Sequence, residues 1–128
     1  MRALRVVDGA PQYIEEPEPS NEGIRVKIAS SSICGSDLHM LANGWVEGRI
    51  LGHEFAGVTD DGQAVTVQPN LGCGNCGHCR EGYSSHCDEG TRYLGIVEDG
   101  GMAEYVRVPE RALFKLPTGL ALANACLM

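Results

Sequence analysis

Residues 72–88 read GCGNCGHCREGYSSHCD. The stretch places Cys73, Cys76, Cys79 and Cys87 in the spacing C-x2-C-x2-C-x7-C. A two-residue gap lets neighbouring thiolates converge on one ion without backbone strain. Four thiolates complete the tetrahedral shell that zinc prefers and leave no open position, which is the pattern of a structural site. Gly72–Asp88 is too rich in glycine and cysteine for a regular helix or strand. It reads as a lobe held by its ion rather than by a core, so that binding energy becomes local folding energy. Disulfides or free thiols and an iron–sulfur cluster are the competing readings of the same spacing. His78 and His86 stand beside these cysteines and could replace a thiolate. With four cysteines in hand they read as exposed loop residues.

The rest of the chain sets the frame for this lobe. Its 128 residues suit one domain. Apolar residues are 43% and aromatics only 5%, so the core must be built mostly from Val, Leu, Ile and Ala. The 17 glycines favour many turns and short strands over long helices. The net charge is −7, and the ten Lys and Arg form no basic stripe, which argues against a nucleic-acid partner. No apolar run has the length of a membrane helix. Met1–Arg5 reads as a strand and not a signal peptide. A reduced, cytoplasmic compartment therefore accords with the cysteine usage.

Strand signals dominate the remainder. Arg2–Val7 and Gln12–Glu16 flank a turn at residues 8–11. Within Glu22–Ser32, Ile24, Val26 and Ile28 alternate with Arg25 and Lys27, the pattern of a half-buried strand. That strand feeds a short helix near Cys34–His39, with Ser36 or Asp37 as its cap. His53–Thr59 and Gln63–Pro69 read as strands joined by an Asp60-Asp61-Gly62 turn. Met102–Pro109 and Arg111–Leu116 are strand-like, and Thr118–Met128 is apolar and helix-compatible. Short strands between glycine turns indicate a barrel or sandwich.

A second group of metal-ligating types lies outside the lobe. Cys34 ends one strand, and His53-Glu54 begins another. Together they offer a thiolate, an imidazole and a carboxylate. A catalytic zinc takes three protein ligands and keeps one position for water or substrate. Asp37 is a candidate to hold His53 by its other ring nitrogen.

Cys34-Gly35-Ser36-Asp37-x-His39, Gly52-His53-Glu54-x2-Gly57, the four-cysteine lobe, Gly100-Gly101-Met102-Ala103-Glu104-Tyr105 and Leu116-Pro117 follow in that order. This series resembles the zinc-dependent medium-chain dehydrogenase/reductase family, in its polyol, threonine and general alcohol branches. The resemblance implies a mostly β, GroES-like, partly open barrel over residues 1–128, with a structural-zinc lobe and short helices. It implies a catalytic zinc on Cys34 and His53, with Glu54 as ligand or just outside. Ser36 would pass the substrate's proton outward and His39 would receive it at the surface. Trp45 and Pro69 are candidates for the pocket wall or for packing. The implied reaction is hydride transfer from an alcohol or polyol to NAD or NADP, with zinc activating the alcohol. A homo-oligomer is also within the family's habits.

Three features depart from that pattern. The family's third catalytic-zinc ligand, a Cys or Glu, falls at or just beyond residue 128, and nearby Cys126 reads rather as a core residue. Val58–Gln63 is short where the family carries a longer glycine-rich hairpin. No G-x-G-x-x-G follows a strand, and Gly95, Gly100 and Gly101 do not form one, so the Rossmann nucleotide-binding domain is expected outside this chain. The 128 residues alone are then expected to bind zinc without turning over alcohol. The alternative is a zinc-stabilised binding or assembly module that has lost catalysis.

Overall fold

The structure, a computed structural model, describes residues 1–127. It begins with a hairpin of β1 (Arg2–Val7) and β2 (Ala10–Glu15). The turn is tighter than the sequence suggests. Only Asp8 and Gly9 form it, both with positive φ (52° and 75°), which is the two-residue geometry that matches strand twist. Ala10 and Pro11 therefore belong to β2, paired with Val7 and Val6.

The main sheet has five antiparallel strands. These are β3 (Ile24–Ser32), β4 (Glu54–Thr59), β5 (Ala64–Val67), β8 (Tyr105–Val108) and β9 (Leu113–Lys115). Their spatial order is β8-β3-β4-β5-β9, so β4 is central. A two-residue ribbon, β6 (Asn70–Leu71) with β7 (Arg92–Tyr93), brackets the cysteine lobe. β1 reaches across the open side without becoming a full strand of the sheet. It makes single bridges, Ala3 to Ala103 and Arg5 to Ile50. The result is the partly open barrel that the resemblance implied.

Two apolar clusters fill it. Val26, Phe55, Val65, Val67, Leu71, Leu94, Val106, Val108 and Ala112 form the barrel core. Val6, Met40, Val46 and Leu51 pack the hairpin against α1 (Gly35–Ala42). Aliphatic residues supply nearly all of both, as the low aromatic content requires.

The register of β3 on β4 contains one irregularity. Ile28 opposes Gly57, yet Ser30 opposes Ala56. Ala29 is the extra residue of a β-bulge, which shifts which side chains beyond it face which neighbour. After the bulge, Ser31 opposes Phe55 and Ser32 opposes Glu54.

Elsewhere the structure trims or corrects the sequence reading. The 60–62 turn forms as expected, tied by hydrogen bonds from the N–H of Gly62 to the Thr59 carbonyl (2.9 Å) and of Gln63 to Thr59 Oγ1 (3.0 Å). The lobe does hold regular structure, a single helical turn α2 (Gly77–Arg80) and a 3-10 turn at Ser84–His86. The tail is not an α-helix. Its hydrogen bonds are of the tighter i→i+3 kind, such as Ala125 N–H to Leu122 C=O (3.2 Å), and only Ala125–Leu127 forms a 3-10 turn. Ser30 Oγ donates to the Leu122 carbonyl (2.5 Å), and Ala125 and Cys126 are buried. That docking, together with Gly119 at φ +90°, overrides the helical propensity. Met128 lies outside the described residues. Among those described, no helix is long and apolar enough to cross a membrane.

Candidate metal centres

In the lobe, the sulfurs of Cys73, Cys76, Cys79 and Cys87 lie within 4.8 Å of one another. None is in a disulfide. Cys73 Sγ and Cys79 Sγ stand 4.0 Å apart, about twice the length of an S–S bond. Backbone N–H groups point at the sulfurs: Cys73 N–H to Cys87 Sγ (3.2 Å), Cys76 N–H to Cys73 Sγ (3.3 Å) and Cys79 N–H to Cys76 Sγ (3.4 Å). Such donors favour thiolate over thiol. Hydrogen bonds from the Asp88 and Cys79 backbones bring the Cys76 thiol down to about 7. Cys79 receives a favourable backbone N–H from Gly74, but burial and its thiol neighbours outweigh it and push the group up to about 12. Four converging sulfurs without a cation are therefore hard to ionise together, and a divalent ion would remove that conflict.

His78 and His86 are not among the converging donors. They meet each other edge to face at 6.1 Å, and His86 stacks on Tyr83 at 6.4 Å. Arg111 ties the lobe to the barrel by donating to the Gly72 carbonyl (2.6 Å).

The second cluster forms where β3, α1 and β4 meet. Cys34, His53 and Glu54 each place a donor atom within 4.8 Å of the other two. Cys34 is the residue just before α1 and takes the N-cap position expected of Ser36 or Asp37. Asp37 lies three residues on, in the first turn. Its Oδ2 accepts the Cys34 N–H at 2.8 Å. Its Oδ1 faces His53 Nδ1 at 3.1 Å, and neither of these two buried atoms has a well-directed hydrogen bond. The contact is thus a close electrostatic pairing, short of a linear bond. Asp37 is 2% exposed. A carboxylate this buried needs a partner, and the imidazole is it. With Nδ1 turned to Asp37, Nε2 of His53 is left for the open side.

Ser36 Oγ lies 3.2 Å from His53 Nε2. His39 sits one helical turn further along α1, exposed and edge-on to Trp45 at 5.4 Å. Among the described residues no hydrogen bond joins Ser36 to His39. Ile33, Leu38 and Trp45 are all more than 60% exposed, which leaves large apolar side chains open before, on and after α1. Pro69 is half-buried beside the lobe, and its carbonyl accepts the Leu94 N–H (3.1 Å). Cys126 is buried against the tail's own backbone, with Sγ 3.9 Å from the Ala123 carbonyl, and it does not join the Cys34 cluster.

The glycines of the surrounding motifs have a steric cause. Gly52 has φ +96°, and a Cβ there would lie 2.7 Å from Met102 Cγ; a Cβ on Gly100 would lie 2.2 Å from the Gly52 carbonyl oxygen. The 52 and 100 segments thus touch backbone to backbone, directly beneath His53. One side chain went unread in the sequence. Ser32 Oγ donates to Glu54 Oε2 at 2.6 Å.

A β half-barrel bearing one closed tetrathiolate cluster and one open Cys–His–Glu cluster defines a class of two-centre metal-binding domains. Residues 20–118 match the family described as the alcohol dehydrogenase GroES-like domain. The chain is 37% identical, over 91% of its length, to an NAD-dependent alcohol dehydrogenase of Sulfurisphaera tokodaii, of which it covers 41%. It is 37% identical, over 75% of its length, to an L-threonine 3-dehydrogenase of Caldanaerobacter subterraneus subsp. tengcongensis, of which it covers 32%. The crystal structure of galactitol-1-phosphate dehydrogenase from Escherichia coli superposes with a TM-score of 0.87 at 35% identity, over 99% of this chain and 41% of that one. The chain belongs to the alcohol dehydrogenase GroES-like domain family and, with it, to the zinc-dependent medium-chain dehydrogenases/reductases. It spans about two-fifths of the length of the alcohol dehydrogenase it matches.

Proposed function

We propose that residues 1–128 are the zinc-bearing catalytic domain of an NAD(P)-dependent alcohol- or polyol-type dehydrogenase. Nucleotide binding then falls to a separate Rossmann domain of a longer enzyme, and the 128 residues alone do not turn over alcohol. The observation that carries this reading is the convergence of Cys34 with the adjacent His53 and Glu54, from two separate segments, to within 4.8 Å. A thiolate, an imidazole and a carboxylate form a donor set suited to zinc with a place left for substrate. The buried Asp37 behind His53 supports it, because the oxygen not used by the Cys34 N–H faces the imidazole Nδ1, as a carboxylate that orients a ligating histidine does.

Bound zinc supplies Lewis acidity toward an alcohol oxygen, making its proton easier to lose. The chain's residues do the rest. Cys34, His53 and Glu54 would hold the ion. Asp37 pairs with Nδ1 of His53 and so would leave Nε2 as the ligating nitrogen. Ser36 Oγ, next to that nitrogen, would accept the proton of the substrate hydroxyl while giving up its own, which would pass to His39 at the surface. The tetrathiolate lobe holds a structural zinc.

Metal analysis tests the reading. Purified chain is expected to carry two zinc ions. Cys34→Ser or His53→Ala should each remove one, and Cys79→Ser the other. A wild-type chain that carries one ion, kept in Cys34→Ser and lost in Cys79→Ser, would leave only a zinc-stabilised binding module.

A further inference from the structure

The last three residues of β3 are serines, and each hydroxyl is committed to a different place. Ser30 Oγ donates to the Leu122 carbonyl (2.5 Å), Ser31 Oγ to the Glu54 carbonyl (3.3 Å) and Ser32 Oγ to Glu54 Oε2 (2.6 Å). The last is a short hydroxyl–carboxylate contact, in the range of charge-assisted bonds. It exists because Ala29 is bulged. Only after that shift do Ser32 and Glu54 become direct cross-strand partners. Neither residue is fully exposed, so water competes weakly for the bond.

We propose that Ser32 is a positioning residue of the Cys34–His53–Glu54 site. Its hydroxyl holds one oxygen of Glu54 and keeps the carboxylate turned toward the Cys34 and His53 donors. A free glutamate has among the largest rotamer freedoms of any side chain. Among the described residues no other hydrogen bond fixes the carboxylate of this one. Ser32 thereby decides that Glu54 acts with the ion rather than as a solvated surface acid. The proposal rests on the reading that this cluster holds a divalent ion.

Cobalt(II) in place of zinc provides a readout independent of turnover, through its ligand-field absorption. The wild-type chain is titrated with cobalt against a competing chelator. It should take two equivalents, one with the intense thiolate spectrum of the four-cysteine lobe and one at the open site. Ser32→Ala should weaken the second equivalent by about 10- to 100-fold and shift its spectrum, leaving the first unchanged. Ser32→Thr, which keeps the hydroxyl, should restore the wild-type values. In a Glu54→Ala background, Ser32→Ala should add nothing. Equal second-site affinity and spectrum in Ser32→Ala and wild type would overturn the proposal. So would a loss that Thr fails to rescue or that persists without Glu54. If wild type takes only one cobalt, the two-centre reading fails and the proposal falls with it. If the alanine variant does not fold, Ser32→Gly removes the same donor and gives the same comparison.

Discussion

Asp37 is the residue on which most depends. One of its oxygens caps α1 through the Cys34 N–H and the other faces His53, so a single side chain sets the position of two donors. The two roles can be separated. Asp37→Asn keeps an oxygen for the Cys34 N–H but places an amide against His53 Nδ1. It should lower affinity at the open site by about 10- to 100-fold with little change in stability. Asp37→Ala should add a stability loss of about 1 kcal/mol from the lost cap, measured by urea unfolding. At the lobe, the metal-free thiols should separate by alkylation. Cys76, brought down to about 7 by the Asp88 and Cys79 backbone N–H groups, is half thiolate near neutral pH. Cys79, at about 12, is almost wholly thiol there. Iodoacetamide should therefore label Cys76 first, at a rate that is half-maximal near pH 7 and levels about one pH unit above it. Metal should protect both. Equal labelling of the two at pH 7 would contradict this.

At the scale of elements, the contact of β3 with β4 determines the geometry of the open site. Gly57 permits it. A Cβ there would lie 2.2 Å from the Lys27 carbonyl oxygen, and both atoms belong to paired backbones that cannot turn aside. Gly57→Ala should cost more than the usual 1–3 kcal/mol of an overpacked core. Phe55, buried at 1% exposure, should cost about 3–5 kcal/mol as Phe55→Ala. The bulge makes a sharper prediction. Deleting Ala29 should leave a folded sheet, since the pairs from Val26 to Ile28 lie before it. With the ladder closed up, Ser32 should still oppose Glu54, so the second metal equivalent should survive in metal analysis of the deletion variant.

For the molecule as a whole, legibility followed locality. The four lobe cysteines are near neighbours in sequence, so their spacing alone named the set that converges. Cys34 is separated from the adjacent His53 and Glu54 by a helix and a loop; a motif series joined them, and periodicity could not. Ser32 escaped because three identical serines carry no alternation, and a one-residue bulge decides which of them meets Glu54. The tail misled for the same reason. Its apolar composition allowed a helix, but a hydroxyl from β3 and a buried Ala125 held it to 3-10 turns. The two clusters should also come apart thermodynamically. The barrel core draws mainly on residues outside 72–88, so a strong chelator should unfold the lobe while strand circular dichroism persists.

β4 has a full strand on either side and carries His53-Glu54 at its leading end. Its interior amides should thus be among the last to exchange with deuterium, opening only when the whole barrel unfolds. An ion resting on that strand meets a floor already set before it arrives. Losing the ion should then empty the seat without softening it, whereas at the lobe metal and shape leave together.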